Sequence, residues 1–424
     1  MQPVGEIWIE GGTPLSGRVS VQGSKNAALP MMAAALLHDG KTVLHHCPRI
    51  ADVLVMEQIL NRLGAKTRWQ DHTLEIDCRK VAGYEIDHEL AGSMRSSVIL
   101  MGSMISRQGQ VKIAYPGGCT IGKRPIDLHL KVFQNMGVHI REEEKGLWAG
   151  SSTRLKGTTI EFPVSSVGAT ENALLAAVKA KGETVLKNCA LEPEIRHLCH
   201  FLLAMGAEIA GIGTDTLWIR GVCTFRDVEY TVPPDRIVAG TYLYAAAAAR
   251  GKIVLEHAPV EEMEAVLQVY EKMGGQWVCN SGKLKADARE IRYPVSMTET
   301  ARYPGFPTDM QSILMAVLLT VPGESRIRET IFEDRYKVVP ELARMGGCIA
   351  VTGKDAWIRG GIPLCGTKVK ALELRGAAAL VIAALAAEGE SLIRNSHFLE
   401  RGYEEFENVI SKLGGKIEIR GKIG

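Results

Sequence analysis

Apolar positions along this chain recur first at helical spacing and then at strand spacing, again and again. In Glu261 to Met273 the apolar Met263, Val266, Leu267 and Tyr270 fall every three or four residues, which predicts one face of an amphipathic helix. Glycine follows at 274, the position where a helix end takes positive φ without a steric penalty. The same ending appears as Arg62-Leu-Gly-Ala65, Asn135-Met-Gly-Val138, Ala204-Met-Gly-Ala207, Arg344-Met-Gly-Gly347 and Lys412-Leu-Gly-Gly415. The glycines stand at 64, 137, 206, 274, 346 and 414, separated by 73, 69, 68, 72 and 68 residues, a spacing too even for chance. A short β-like stretch follows each one, such as Lys416 to Ile419.

Upstream in each unit runs a second, far more apolar segment. Asn26 to Leu37, Glu171 to Ala180, Ile237 to Ala249 and Gly376 to Ala387 are Ala-rich and apolar nearly all round, which predicts buried helices. Each ends near a glycine (40, 109, 182, 251, 323 and 389), and a strand-like segment such as Lys252-Ile-Val-Leu255 comes next. The predicted unit is buried helix, strand, amphipathic helix, strand, with one more strand before the next unit. Pattern alone leaves open whether the sheets are parallel or mixed. Three units fall on each side of Pro233-Pro234, giving two similar halves. Strand-like Gly5 to Glu10 and Gly17 to Val21 precede the first unit and are free to return to the last half.

Composition changes little in this picture. The 424 residues exceed one ordinary core, and 50 basic against 48 acidic residues give a net charge of +2, which calls for neither nucleic acid nor an anionic membrane. The N-terminus lacks a signal-peptide pattern, and the longest apolar runs, about ten residues, are too short to span a bilayer. Nine cysteines without C-x-x-C spacing read as free thiols in a reducing compartment, hence the cytoplasm.

The helix starts differ from the helix middles. A helix N-terminus offers unpaired N–H groups and a positive dipole end, which suits anions. The buried helices are predicted to begin at Gly23-Ser24-Lys25-Asn26, Ser93-Met94-Arg95-Ser96, Val167-Gly168-Ala169-Thr170, Pro234-Asp235-Arg236, Pro307-Thr308-Asp309 and Glu373-Leu374-Arg375. The amphipathic ones begin near Arg49, Arg124, Glu192-Pro-Glu194, Pro259, Arg335 and Arg401. Cations at Lys25, Arg95, Arg124, Arg236, Arg335, Arg375 and Arg401 oppose the dipole. Either carboxylates pair with them, or an anionic substrate does, and the set as a whole favours the substrate.

Tyr115-Pro-Gly-Gly-Cys-Thr-Ile-Gly-Lys-Arg-Pro-Ile-Asp-Leu-His129 places Cys119 in a Gly-rich loop beside Lys123 and Arg124, which lower a thiol's pKa. That reads as a chemical cysteine, whereas the other eight read as small core residues. Tyr303-Pro-Gly-Phe-Pro-Thr-Asp309 delivers Asp309 to a helix start, either as an N-cap or as something more.

Gly23-Ser-Lys-Asn-Ala-Ala-Leu-Pro30, Pro116-Gly-Gly-Cys-x-Ile-Gly-x-Arg-Pro-x-Asp-Leu-His129, Phe306-Pro-Thr-Asp-Met-Gln311, Glu333-x-Arg335 and Arg401-Gly-Tyr-Glu404 resemble the UDP-N-acetylglucosamine enolpyruvyl transferase family, over the chain from Lys25 to the C-terminus. The sister family, the enolpyruvylshikimate phosphate synthases, resembles these motifs much less. The resemblance implies two inside-out α/β barrel-like domains, 25–233 and 1–24 with 234–424, with helix starts facing the cleft between them. It implies transfer of the enolpyruvyl group of phosphoenolpyruvate to a sugar-nucleotide 3′-hydroxyl, the first committed step of peptidoglycan synthesis. By resemblance Cys119 is the general acid and Asp309 the general base. Lys25, Asn26, Arg124 and Arg401 take phosphoenolpyruvate together with Cys119. Asn26, Arg95, Arg124, Pro125, Ile126, Asp127, Leu128, Ser166, Val167, Gly168, Asp309 and Ile331 take the UDP-sugar, Ile331 through its backbone. Arg335, Arg375 and Glu373 support the site, and His129 is a packed or loop-tethering residue.

No metal or cofactor is implied, and no protein partner, nucleic acid or membrane. Three positions depart from the family pattern: Glu373 for aspartate, Val164 for a lysine, and Lys123 for a small residue. Two alternatives stay open: transfer to another alcohol such as shikimate 3-phosphate, or a non-catalytic protein that binds a sugar nucleotide.

Overall fold

The computed structural model describes residues 5–115, 117 and 126–421. Their contacts divide them into two units, one of residues 23–115, 117 and 126–233, the other of residues 5–22 and 234–421. The α/β architecture is the expected one, six sheets of four strands each. Every sheet is mixed. A central antiparallel pair carries a second antiparallel strand on one side and a short parallel strand on the other, as in Val228–Thr231, Lys41–His45, Thr73–Asp77 and Lys66–Gln70.

The expected helix–strand–helix–strand repeat is present, with a hairpin completing five of the six described sheets. The six glycines after the amphipathic helices all have positive φ, between 89° and 107°. Each reverses the chain into the strand that follows, which a Cβ would resist. The last unit closes without a hairpin: Lys416–Arg420 pairs antiparallel with Glu6–Glu10. Ser16–Ser20 supplies the parallel edge strand beside Lys252–Glu256. The N-terminal segment therefore completes two sheets of the second unit, while Val228–Thr231 returns to the first sheet of the other.

Strands bury alternate residues, as in Lys41–His45, and turn that face onto the Ala-rich helices. The bodies of those helices are enclosed: in Leu374–Ala386 twelve residues from Leu374 to Leu385 are buried. Small residues let them approach closely. A Cβ on Gly102 would lie 2.6 Å from the Asn172 carbonyl oxygen of the neighbouring helix. A further repeat sits in the sheets. The six tryptophans, at 8, 69, 148, 218, 277 and 357, fall one to a sheet. The indole N–H of Trp8, Trp69, Trp148 and Trp277 donates to a nearby Glu390, Glu57, Gln110 and Glu271.

Several expected helix starts move. Arg95–Ile99 and Thr308–Met310 are 3₁₀ turns that lead into Leu100–Gln108 and Gln311–Leu319. Neither Arg335 nor Arg401 opens a helix, because the helices begin only at Val339 and Phe406. Pro340 tolerates only a first-turn position, and Glu405, at φ 45°, is in a left-handed conformation that interrupts any helix from Arg401. The cysteine expectation also needs correcting. Cys47, Cys78, Cys189 and Cys199 are buried, with burial pushing the last three thiols up to about 12, but Cys223, Cys348 and Cys365 are exposed. None of the eight described cysteines is disulfide-bonded, and no described helix is long and apolar enough to cross a membrane.

Candidate active site

Asp309 organises one neighbourhood, in the unit that contains the C-terminal half. Pro307 precedes the 3₁₀ turn Thr308–Met310 and holds Asp309 at the mouth of the buried helix Gln311–Leu319. Its carboxylate receives Arg335 on Oδ1. On Oδ2 it receives Arg375 twice, from Nε at 3.2 Å and Nη2 at 3.0 Å. The two guanidinium side chains are 3% exposed and the Asp309 side chain 31%. Two fixed cations thus present one partly open carboxylate.

Each arginine is itself fixed. Arg375 Nη1 donates to the Tyr403 hydroxyl at 3.0 Å, and that hydroxyl meets Thr241 Oγ1 at 3.0 Å. Burial alone would lower the Arg375 pKa, but Tyr403 and Asp309 more than offset it and the guanidinium is pushed up. Arg335 Nε donates to the Thr308 carbonyl at 3.3 Å. Thr308 Oγ1 in turn donates to Glu329, whose other oxygen accepts the Ile331 N–H at 2.8 Å. The backbone contact expected of Ile331 is thereby left to its carbonyl.

Glu373 caps the helix that carries Arg375. It accepts the backbone N–H of Arg375 at 2.8 Å and that of Gly376, capping the helix, and its nearest cation is Arg335 at 4.0 Å. Asp235 caps its helix through the same two backbone positions, Ile237 and Val238. Arg401 ends the 3₁₀ turn Ser396–Arg401 and is half-buried. Just past it, Gln22 bridges the Gly402 carbonyl and the Glu404 N–H.

The other unit carries a second neighbourhood. Ser24 caps the helix Lys25–Ala35, its hydroxyl accepting from Ala27. Lys25, at the first helical position, pairs with buried Asp52 at 3.4 Å. Asn26 follows in the same turn and is half-buried. Arg95 opens its 3₁₀ turn, also half-buried. Ser166 caps Val167–Ala177, and Ser166, Val167 and Gly168 are all half-buried, with Val164 52% exposed just before them. Ile126 is buried at the head of Asp127–Asn135, where Asp127 is exposed and Leu128 half-buried. Cys119, Lys123, Arg124 and Pro125 lie outside the described residues.

Carboxylate pairing of the cations, the plainer of the two readings, is therefore real for Lys25, Arg335 and Arg375. Sequence reasoning missed Asp52, Thr241, Glu329, Tyr403 and Asn172. Only Tyr403 had a signal, since it stands in the quoted Arg401-Gly-Tyr-Glu404 motif. Among the described residues no cluster of three or more His, Cys, Asp or Glu is arranged to hold a metal.

Glu171, beside Asn172, is 3% exposed. Burial first, then the charges of Glu194 and Glu192, push its pKa well above the ordinary carboxylate range. A raised folded-state pKa means that the stability contribution is complete below the unfolded value, about 4.3, and is lost as pH rises toward the folded one. Glu171→Gln is expected to melt higher than wild type at pH 8, by roughly 2–4 °C per kcal/mol relieved. The gap should close near pH 4. Equal melting differences at both pH values would mean that Glu171 does not titrate this way.

Comparison with known proteins gives a consistent set of likenesses. A family model described as EPSP synthase (3-phosphoshikimate 1-carboxyvinyltransferase) matches residues 9–410. The chain is 44% identical over 414 residues to UDP-N-acetylglucosamine 1-carboxyvinyltransferase 2 of Caldanaerobacter subterraneus subsp. tengcongensis, covering 98% of this chain and 99% of that one. It is 43% identical over 423 residues to UDP-N-acetylglucosamine 1-carboxyvinyltransferase of Paramagnetospirillum magneticum, covering 97% and 98%. Among solved structures, the enolpyruvyl transferase NikO of Streptomyces tendae matches with a TM-score of 0.89 at 26% identity, over 98% of this chain and 99% of that one. EPSP synthase of Acinetobacter baumannii shares the fold, with a TM-score of 0.74 at 19% identity, over 98% and 99%.

Proposed function

The chain belongs to the EPSP synthase family and, within it, to the UDP-N-acetylglucosamine 1-carboxyvinyltransferases, and from that premise we propose how its residues divide the work. It transfers the enolpyruvyl group of phosphoenolpyruvate to the 3′-hydroxyl of UDP-N-acetylglucosamine and releases phosphate, a step of peptidoglycan synthesis. Transfer to shikimate 3-phosphate is not favoured.

Asp309 is the observation that carries the residue-level reading. Its carboxylate is partly open to solvent and held by Arg335 and Arg375. A base must accept a hydroxyl proton from a fixed position, and a carboxylate locked by two guanidiniums has one. In addition, Asp309 takes the 3′-hydroxyl proton as the sugar oxygen bonds to C2 of phosphoenolpyruvate, while Cys119 gives a proton to the methylene carbon. The product is a tetrahedral adduct. Elimination returns a methyl proton to a protein base as the C–O bond to phosphate breaks, restoring the double bond.

Lys25, Arg124 and Arg401 neutralise the phosphate and carboxylate of phosphoenolpyruvate, with Asn26 beside them. Ser166, Val167 and Gly168 offer helix-start N–H groups to the diphosphate. Arg95, Arg124 and Pro125 to Leu128 take the rest of the nucleotide, and the Ile331 carbonyl takes the sugar. Val164 supplies no charge near the diphosphate, which leaves the helix start to do more of that binding. The reaction runs in the cytoplasm and needs neither metal nor cofactor.

Purified protein mixed with UDP-N-acetylglucosamine and phosphoenolpyruvate is expected to release one phosphate per enolpyruvyl group transferred. Release with shikimate 3-phosphate only would overturn the substrate, and sugar-nucleotide binding without release would overturn the activity. The epoxide phosphonate fosfomycin is expected to label Cys119 and stop turnover. Cys119→Asp is expected to keep turnover and escape the reagent, and indifference of the wild type would remove Cys119 from the mechanism.

A further inference from the structure

We propose that Asn172 and His129 form a positioning pair that sets the spacing between two segments of the sugar-nucleotide site, Ile126–Leu128 and Ser166–Gly168. The inference rests on the sugar-nucleotide reading above, and all the residues it uses lie in one unit.

Asn172 is fully buried and its amide is fully engaged. Oδ1 accepts the Gly102 N–H at 2.8 Å, and Nδ2 donates to the Val98 carbonyl at 2.9 Å. A backbone N–H only donates and a carbonyl only accepts, so the amide has one orientation. The remaining Nδ2 hydrogen is aimed at His129 Nδ1, 2.7 Å away. Nδ1 must therefore accept, which makes His129 a neutral imidazole with its hydrogen on Nε2. A proton on Nδ1 would face the amide hydrogen head-on, so Asn172 holds both the tautomer and the ring plane.

The other edge of the ring rests on the start of the helix Val167–Ala177. A Cβ on Gly168 would lie 3.1 Å from His129 Cε1 and 3.4 Å from Nε2. Only glycine lets the ring settle there without displacing it. His129 is the third residue of the helix Asp127–Asn135. Its ring thus ties the head of that helix, where Ile126 to Leu128 stand, to the first turn that follows Ser166. Buried polar groups with every partner supplied fix one arrangement where an apolar contact would allow several. Moving such a support by an ångström is enough to reduce binding or rate substantially.

The test compares His129→Leu with His129→Asn, whose side-chain oxygen replaces Nδ1 as acceptor for Asn172. His129→Leu is expected to raise the KM for UDP-N-acetylglucosamine roughly tenfold. Its kcat and its KM for phosphoenolpyruvate should stay near wild type, and His129→Asn should recover most of the loss. Calorimetric binding of UDP alone should weaken in parallel. An unchanged sugar-nucleotide KM in His129→Leu, or an equal rise for both substrates, overturns the proposal while phosphate release still upholds the activity. Absent phosphate release with UDP binding weakened as stated would overturn the activity and uphold the pair. Should His129→Leu not fold, imidazole ¹⁵N resonances of the wild type decide. Protonated Nε2 with bare Nδ1 supports the pair, and protonated Nδ1 overturns it.

Discussion

Asp309→Asn is expected to lower kcat by about 10²–10⁴-fold, the usual range for losing a positioned general base. Asparagine keeps the shape of aspartate and still offers one oxygen, so substrates should bind with KM values within a few-fold of wild type. What is lost is the proton acceptor. The substitution also removes the negative charge facing two guanidiniums that are each 3% exposed. Breaking a fully buried pair costs about 3–5 kcal/mol, and the 31% exposure of Asp309 places this case below that range because water screens the remaining charges. Steady-state phosphate release with both substrates varied separates the two effects. A kcat within threefold of wild type in a folded Asp309→Asn protein would take the base role away from this residue.

Arg375→Ala is expected to unfold more easily than wild type by about 3–5 kcal/mol. The side chain is buried against Tyr403, with the ring centroid 5.4 Å from the guanidinium carbon. Three of its nitrogens are committed, Nε and Nη2 to Asp309 and Nη1 to Tyr403. Truncation opens a cavity, takes two hydrogen bonds from Asp309, and removes the charge that fixes the Tyr403 hydroxyl. Arg375→Lys is expected to recover only part of the loss. One ammonium is a point donor and cannot span the carboxylate and the phenol as a planar fork does. Chemical denaturation of the two variants and wild type, compared at the midpoint, reads the difference. A loss below about 1 kcal/mol in Arg375→Ala would mean that the pairing contributes little beyond what its desolvation takes away.

Much of this was legible along the chain because helix and strand periodicities are local. The glycines at 64, 137, 206, 274, 346 and 414 announced six helix ends, and each has the positive φ that the pattern required. The buried helices were visible because a segment with no polar face has nowhere to go but inside. The tryptophan of each sheet was a repeat in plain sight, missed because Trp69 and Trp277 lie on the first hairpin strand, Trp148, Trp218 and Trp357 on the second, and Trp8 on the N-terminal strand. Arg335 and Arg401 were misplaced at helix starts because a left-handed residue such as Glu405 leaves no compositional mark.

By itself, the sequence determined the unit, its sixfold recurrence and the burial of the Ala-rich helices, and it singled out Asp309, Lys25 and Cys119 as candidates, since each of these readings depends on neighbours within a few positions. Only the tertiary structure decided which charges meet. Asp309 joins Arg375 across 66 residues and Arg335 across 26. Asn172 reaches His129 across 43 and Val98 across 74. Such pairings follow from how sheets close and helices cross, and their strength comes from burial, which is a property of the packed chain and of no single stretch of it.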